Sequence, residues 1–214
     1  LDCERHFRVF NTFNVIPKYC FSCYKIQIEP KNVIDLFKLF ILFDNLELEN
    51  NNIRKCIIES RPKVSGTYKG LIYCNGNHEV KIIFHKISLL IKKSFGYDLP
   101  IFMKRGCTEF SVPYPKFKEI DKSMEYDEDW SKFEKEIDQK SKLVNKKKSS
   151  ENTLRGTSIS DVLIMRNWLA YAKKIDDDCY KKFNIDIPEI DYINEKLKGQ
   201  IKFRKKEFQK SKGI

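Results

Sequence analysis

Apolar and polar residues alternate strictly over Tyr24-Lys25-Ile26-Gln27-Ile28-Glu29, the pattern of a strand with one buried face. Pro30 ends that run and suits the first turn of a helix. Val33, Leu36, Phe37, Phe40 and Ile41 then recur at helical spacing and predict a helix running to Phe43. Asn50-Asn51-Asn52 reads as a turn. Residues 54–59 predict a second strand stopped by Arg61-Pro62, and Ser65-Gly66 leads back into a third strand over 68–74. Asn75-Gly76-Asn77 turns the chain again. Val80, Ile83, Phe84, Ile87, Leu90 and Ile91 predict a second amphipathic helix ending near Gly96, and residues 99–104 predict a fourth strand.

Strand, helix, strand, strand, helix, strand is the order of a ferredoxin-like βαββαβ fold. This α+β class has a four-stranded antiparallel sheet with both helices on one face. The preference for right-handed crossovers leaves few other topologies for that order. Further along, Thr157 or Ser158 caps a predicted helix carrying Val162, Met165, Trp168, Leu169 and Ala172. Asp191 opens a strongly basic helix with Ile193, Leu197, Ile201 and Phe208. The expected division is a ferredoxin-like core with an N-terminal Cys/His segment over 1–110, an acidic then Lys-rich connection over 111–155, and a basic helical extension over 156–214. Within the connection, Lys146-Lys147-Lys148-Ser149-Ser150 has no apolar periodicity and reads as an exposed linker.

Composition narrows this picture. The 214 residues are 41% hydrophobic and 13% aromatic, too apolar for a disordered chain. The longest apolar run, Leu39-Phe40-Ile41-Leu42-Phe43, falls far short of the ~18 residues that span a bilayer, so no membrane partner is expected. Cys3, Cys20, Cys23, Cys56, Cys74, Cys107 and Cys179 make an odd set, and no secretion signal opens the sequence; both point to a reducing, cytoplasmic setting.

The formal net charge of +11 is unevenly spread. Residues 1–118 carry 19 basic and 11 acidic side chains, residues 119–138 carry 3 and 9, and residues 139–214 carry 19 and 10. The acidic stretch reads as a solvated helix face near Trp130 and Phe133, or else as an intramolecular mimic of a nucleic-acid backbone or a clamp onto the basic core.

Period-2 alternation turns Ile26, Ile28, Cys56, Ile58, Ile72, Ile101 and Met103 toward the helices. Lys25, Gln27, Glu29, Lys55, Glu59, Arg61, Lys69, Tyr73, Phe102 and Lys104 then share the other face with Ile57 and Leu71. Such a face is either a solvated surface laced with cross-strand ion pairs or a platform for phosphates. The candidate ligand-binding residues are Lys25, Arg54, Lys55, Arg61, Lys69, Tyr73, Lys104 and Arg105, the last two beside Gly106 where backbone can approach an anion. Residues 68–73 resemble the third-strand motif of RNA-recognition motifs in the basic–glycine opening Lys69-Gly70. Leu71 stands where that motif has an aromatic, Tyr73 falls in the other phase, and the first strand offers Lys25 and Gln27 instead of a stacking ring. The family is therefore not assigned.

Cys3-Glu-Arg-His6 and Cys20-Phe-Ser-Cys23 form C-x2-H and C-x2-C pairs, a spacing that fits tetrahedral zinc, the one cofactor the sequence suggests. The alternative is packed free thiols. In the expected fold Cys107, after the fourth strand, approaches Cys20 and Cys23 before the first. Beside Arg105, Cys107 is the best candidate nucleophile, and Glu29 and Glu59 are candidate general acids or bases. No Walker loop, GxGxxG, HExxH or GxSxG is present.

Two functions follow as expectations. The first is binding of nucleic acid, RNA before DNA, or another phosphorylated ligand over the Lys/Arg-rich sheet face. The alternative is a small enzyme acting on an anionic, phosphate- or carboxylate-bearing molecule at that face.

Overall fold

The structure, a computed structural model, describes residues 3–61, 64–120, 124–140, 157–184 and 191–211, with 191–196 as backbone only. Helix α1 spans Cys3–Phe13. A 3-10 turn over Lys18–Phe21 leads into strand β1, Cys23–Ile28. Helix α2, Val33–Asp44, is followed by the strands β2, Arg54–Ile58, and β3, Tyr68–Asn75. Helix α3 covers Asn77–Phe95 and strand β4 covers Ile101–Arg105. Short turns then lead to the helices α4, Ser131–Lys140, α5, Ile159–Lys174, and α6, Asp191–Ser211. The predicted linker at 146–150 and the stop at Pro62 lie outside the described residues.

The fold is α+β, with one four-stranded antiparallel sheet in the order β2-β3-β1-β4. In the β2–β3 pair Lys55 faces Leu71, Ile57 faces Lys69 and Ile58 faces Tyr68. Between β1 and β4, Glu29 N–H donates to Pro100 O and Gly106 N–H to Cys23 O, both at 2.9 Å. That antiparallel register sets Lys25 opposite Lys104.

Local chemistry explains the helix starts. Helix α2 begins at Val33, so Pro30 precedes its first turn, and Asn32 caps it: its side chain accepts the Asp35 N–H at 2.9 Å. Ser158 caps α5 in a capping box, accepting the Asp161 N–H at 3.2 Å while its own N–H donates to the Asp161 carboxylate at 2.8 Å. The sequence reading missed α1, although His6, Val9, Phe10 and Phe13 fall at helical spacing.

The chain groups into two compact units. The first holds Leu1–Ile26, Tyr73–Lys86 and Phe102–Glu151; the second holds Gln27–Ile72, Ile87–Ile101 and Asn152–Ile214. In the first, Ile16, Cys20, Phe110 and Phe117 form a buried cluster with Phe7, Phe10, Phe21, Cys107, Tyr114 and Trp130 packed on it. Here the acidic stretch acts as a clamp. Arg5 of α1 reaches Glu134 at 2.9 Å and Asp138 at 2.6 Å, while Lys18 pairs with Glu128 at 2.7 Å.

In the second unit, Val33 and Leu36 of α2 and Tyr68 of β3 are buried with Trp168, Leu169, Tyr171 and Ala172 of α5. Phe37 and Phe40 stack toward Trp168, at centroid distances of 5.8 and 6.0 Å. Gly70 lets α2 lie close on the sheet, since a Cβ there would sit 2.4 Å from Leu39 Cδ2. A buried carboxylate ties the unit together. Asp177 accepts the Val33 N–H at 2.8 Å and the Tyr68 hydroxyl at 2.7 Å.

Candidate functional site

The polar side of the sheet presents two different arrangements, one in each unit. In the second unit it is closed over. Glu59 and Lys69, 3% and 4% exposed, pair at 2.8 Å, and Arg61 adds a contact to Glu59 at 2.9 Å. Above them Gln200 of α6 donates to Glu59 O at 2.7 Å and accepts the Tyr171 hydroxyl at 2.6 Å. Arg204, also buried, donates to Val64 O. Helix α6 thus covers this part of the face through Gln200 and Arg204, which bond to the backbone beneath.

Burial alone would raise the Glu59 carboxyl, but the hydrogen bonds from Arg61 and Lys69 outweigh it and hold the group down at about 2. A carboxyl so far below neutrality is a poor proton donor, so the expected acid/base role of Glu59 finds no support in its surroundings. Glu29 accepts the Gln27 amide at 2.6 Å and lies against the Gly66 turn. Lys55 is exposed on β2. Arg54 donates to Phe43 O at 2.9 Å and lines a small cleft with Phe40, Phe43, Asp44, Lys55 and Cys56.

In the first unit the same side of the sheet remains partly open. Lys25 and Tyr73 are half-buried, and Phe102 is 41% exposed. The two ammonium groups set opposite each other on β1 and β4 part company. Lys25 Nζ donates to Gly106 O at 2.9 Å, whereas Lys104 Nζ lies 5.1 Å from the centre of the Phe102 ring. Burial raises the Tyr73 hydroxyl to about 12, with Cys107, Cys3 and Cys23 contributing as neighbours.

Arg105 departs from the expected ligand set. It is 1% exposed, its guanidinium lies between the Tyr24 and Phe117 rings at 4.5 and 5.1 Å, and it donates to Phe21 O. Its phase along β4 matches Ile101 and Met103, a signal that was present in the alternation.

Cys23 and Cys107 lie beside Gly106. A Cβ on Gly106 would fall 2.3 Å from Cys23 Sγ, and Cys107 packs against the cluster in which Cys20 is buried. Neighbouring Cys107 and burial push the Cys20 pKa up. Cys107 is lowered by Cys20 first and by Lys25 second, against burial and Glu109. Every other cysteine with a resolved shift is raised, Cys23 to about 11 by burial.

The zinc expectation fares differently. Cys3 is exposed on α1, and His6 on the same helix is buried with its ring stacked on Tyr19 at 5.4 Å. Among the described residues no group of three or more His, Cys, Asp and Glu side chains is arranged to hold a metal ion. No described helix is long and apolar enough to cross a membrane. No protein-family model, curated protein or solved structure matches the chain.

Proposed function

We propose that the chain binds RNA, or another phosphorylated ligand, on the open part of the sheet face formed by Lys25, Tyr73, Phe102 and Lys104. The observation that carries this reading is the facing of Lys25 and Lys104 across β1 and β4. Two cationic side chains on one partly open stretch of sheet favour an anionic ligand there. Phe102, exposed beneath Lys104, offers a ring for a base to stack on. The element order β1-α2-β2-β3-α3-β4 with sheet order β2-β3-β1-β4 supports reading the core as ferredoxin-like. The seven free thiols support a reducing, cytoplasmic setting.

Filter binding of a labelled single-stranded RNA across a salt series tests the proposal. Two neutralised phosphates predict a log–log slope of about −1.4 on single strands. Affinity that does not change with salt would reject it. Retention of a phosphorylated nucleotide but not of the oligomer would direct the reading to a small ligand at the same residues.

A further inference from the structure

The outer side of α6 carries charge that the sheet face makes no use of. Lys198, Lys202, Lys206 and Lys210 follow one another at intervals of four, and all four are exposed. Each such step rises about 6 Å and turns about 40°, so the side chains leave the helix in a gently winding row about 18 Å long. The other side of the helix is committed to the protein. Gln200 and Arg204 are buried, and Leu197, Ile201 and Phe208 pack on the core around Trp168 and Tyr171. Over residues 197–211 the single carboxylate, Glu207, is bound by Arg204, while Lys205 pairs with Asp176 at 3.2 Å. Among the described residues no acidic group pairs with the four lysines of the row.

A regular row of cations matches a regular row of anions. The apolar side of α6 is buried in the core, so the helix has no apolar face with which to enter a bilayer. Phe203, the aromatic beside the row, already carries the Arg204 guanidinium 5.3 Å from its ring centre. Lysine contacts phosphate as a point charge, without the forked geometry by which arginine reads guanine. We propose that the row of Lys198, Lys202, Lys206 and Lys210 docks the sugar–phosphate backbone of a double-stranded nucleic acid, without regard to base sequence. A duplex keeps its bases paired, so it asks for cations along its phosphates and for no stacking ring. The contact uses none of the sheet-face residues, and either contact stands without the other.

Fluorescence anisotropy of the full chain with short labelled DNA and RNA duplexes of unrelated sequences, over a salt series, tests the row. Four neutralised phosphates predict a log–log slope of about −3.6 on DNA, the same for each sequence. Lys202→Gln with Lys206→Gln is expected to reduce its magnitude by about 1.8. Lys92→Gln with Lys93→Gln removes the same charge from the exposed end of α3 and is expected to leave the slope unchanged. All four positions are exposed and glutamine is a good helix former, so both variants keep the fold. Phe102→Ala is expected to weaken single-stranded RNA and to leave the duplex unaffected; binding of duplex without single strand rejects the sheet face and supports the row. Equal losses in the two double variants, a duplex affinity that does not change with salt, preference for one duplex sequence, equal affinity for polyglutamate, or retention on mixed phosphatidylcholine–phosphatidylserine vesicles in place of duplex would each overturn the proposal.

Discussion

Lys69 Nζ lies 2.8 Å from Glu59 Oε2 with both side chains almost wholly out of water, on a sheet face whose sequence pattern reads as solvent-exposed. Removing Glu59 leaves Lys69 as a buried charge without its carboxylate, whereas removing Lys69 leaves Glu59 still bonded to Arg61. Glu59→Leu is expected to cost about 3–5 kcal/mol, Lys69→Met less, and the double substitution to recover part of the Glu59→Leu loss. Urea denaturation of the three variants measures the coupling; single losses near zero would mean that the pair is hydrated in solution.

The same carboxylate makes stability depend on acid. Its folded value of about 2 lies below the ordinary 4.5, so the folded state gains from ionised Glu59 at all pH values above the unfolded value. That gain is lost as pH falls from about 4.5 toward about 2. Stability plotted against pH is expected to fall more steeply over this window in the natural chain than in Glu59→Gln, and parallel curves would exclude the linkage.

Asp177 serves the first turn of α2 through the Val33 N–H and serves β3 through the Tyr68 hydroxyl. Removing the hydroxyl in Tyr68→Phe leaves one buried acceptor bond unmade and is expected to cost about 1–3 kcal/mol. Asp177→Ala, which strands both donors, is expected to cost more. Thermal unfolding with far-ultraviolet dichroism checks the order of the two.

Gly70 admits no side chain, with Leu39 Cδ2 and Phe43 Cζ at 2.4 and 3.0 Å from an added Cβ. Gly70→Ala is expected to lose about 1–3 kcal/mol by overpacking α2 against the sheet. Recovery of stability by the additional change Leu39→Ala would show that the clash is the cause.

On the open part of the face, Phe102→Ala is expected to weaken RNA binding by about 1–3 kcal/mol with the salt slope unchanged, since stacking is not ionic. Lys104→Ala is expected to lower the magnitude of the slope by about 0.7. Arg105→Ala is instead expected to destabilise the chain, because its guanidinium is packed between Tyr24 and Phe117.

Local periodicity carried a large share of the architecture. The predicted strands at 24–29, 54–59, 68–74 and 99–104 meet the observed ones within a residue or two. The predicted starts of α5 at Ser158 and α6 at Asp191 coincide with the structure. These features depend on residues a few positions apart, which sequence order brings together by itself. The assignment of Lys25, Tyr73 and Lys104 to one face was legible for the same reason. The inward turn of Arg105 is legible too, in its phase with Ile101 and Met103.

Coverage was not legible. Whether a polar residue on a strand meets water depends on which distant segment packs over it, and alternation along the strand carries no information about that segment. Gln200, 141 positions from Glu59, is what closes the second unit's face, and no pattern near Glu59 announces it. In the same way Glu134 and Asp138 reach Arg5 across 129 and 133 positions. The sequence by itself determined the elements, their faces and the excess of positive charge. Only the tertiary structure decided which charges are buried in pairs and which lie at the surface, because burial and pairing are properties of contacts between segments that the chain order keeps far apart.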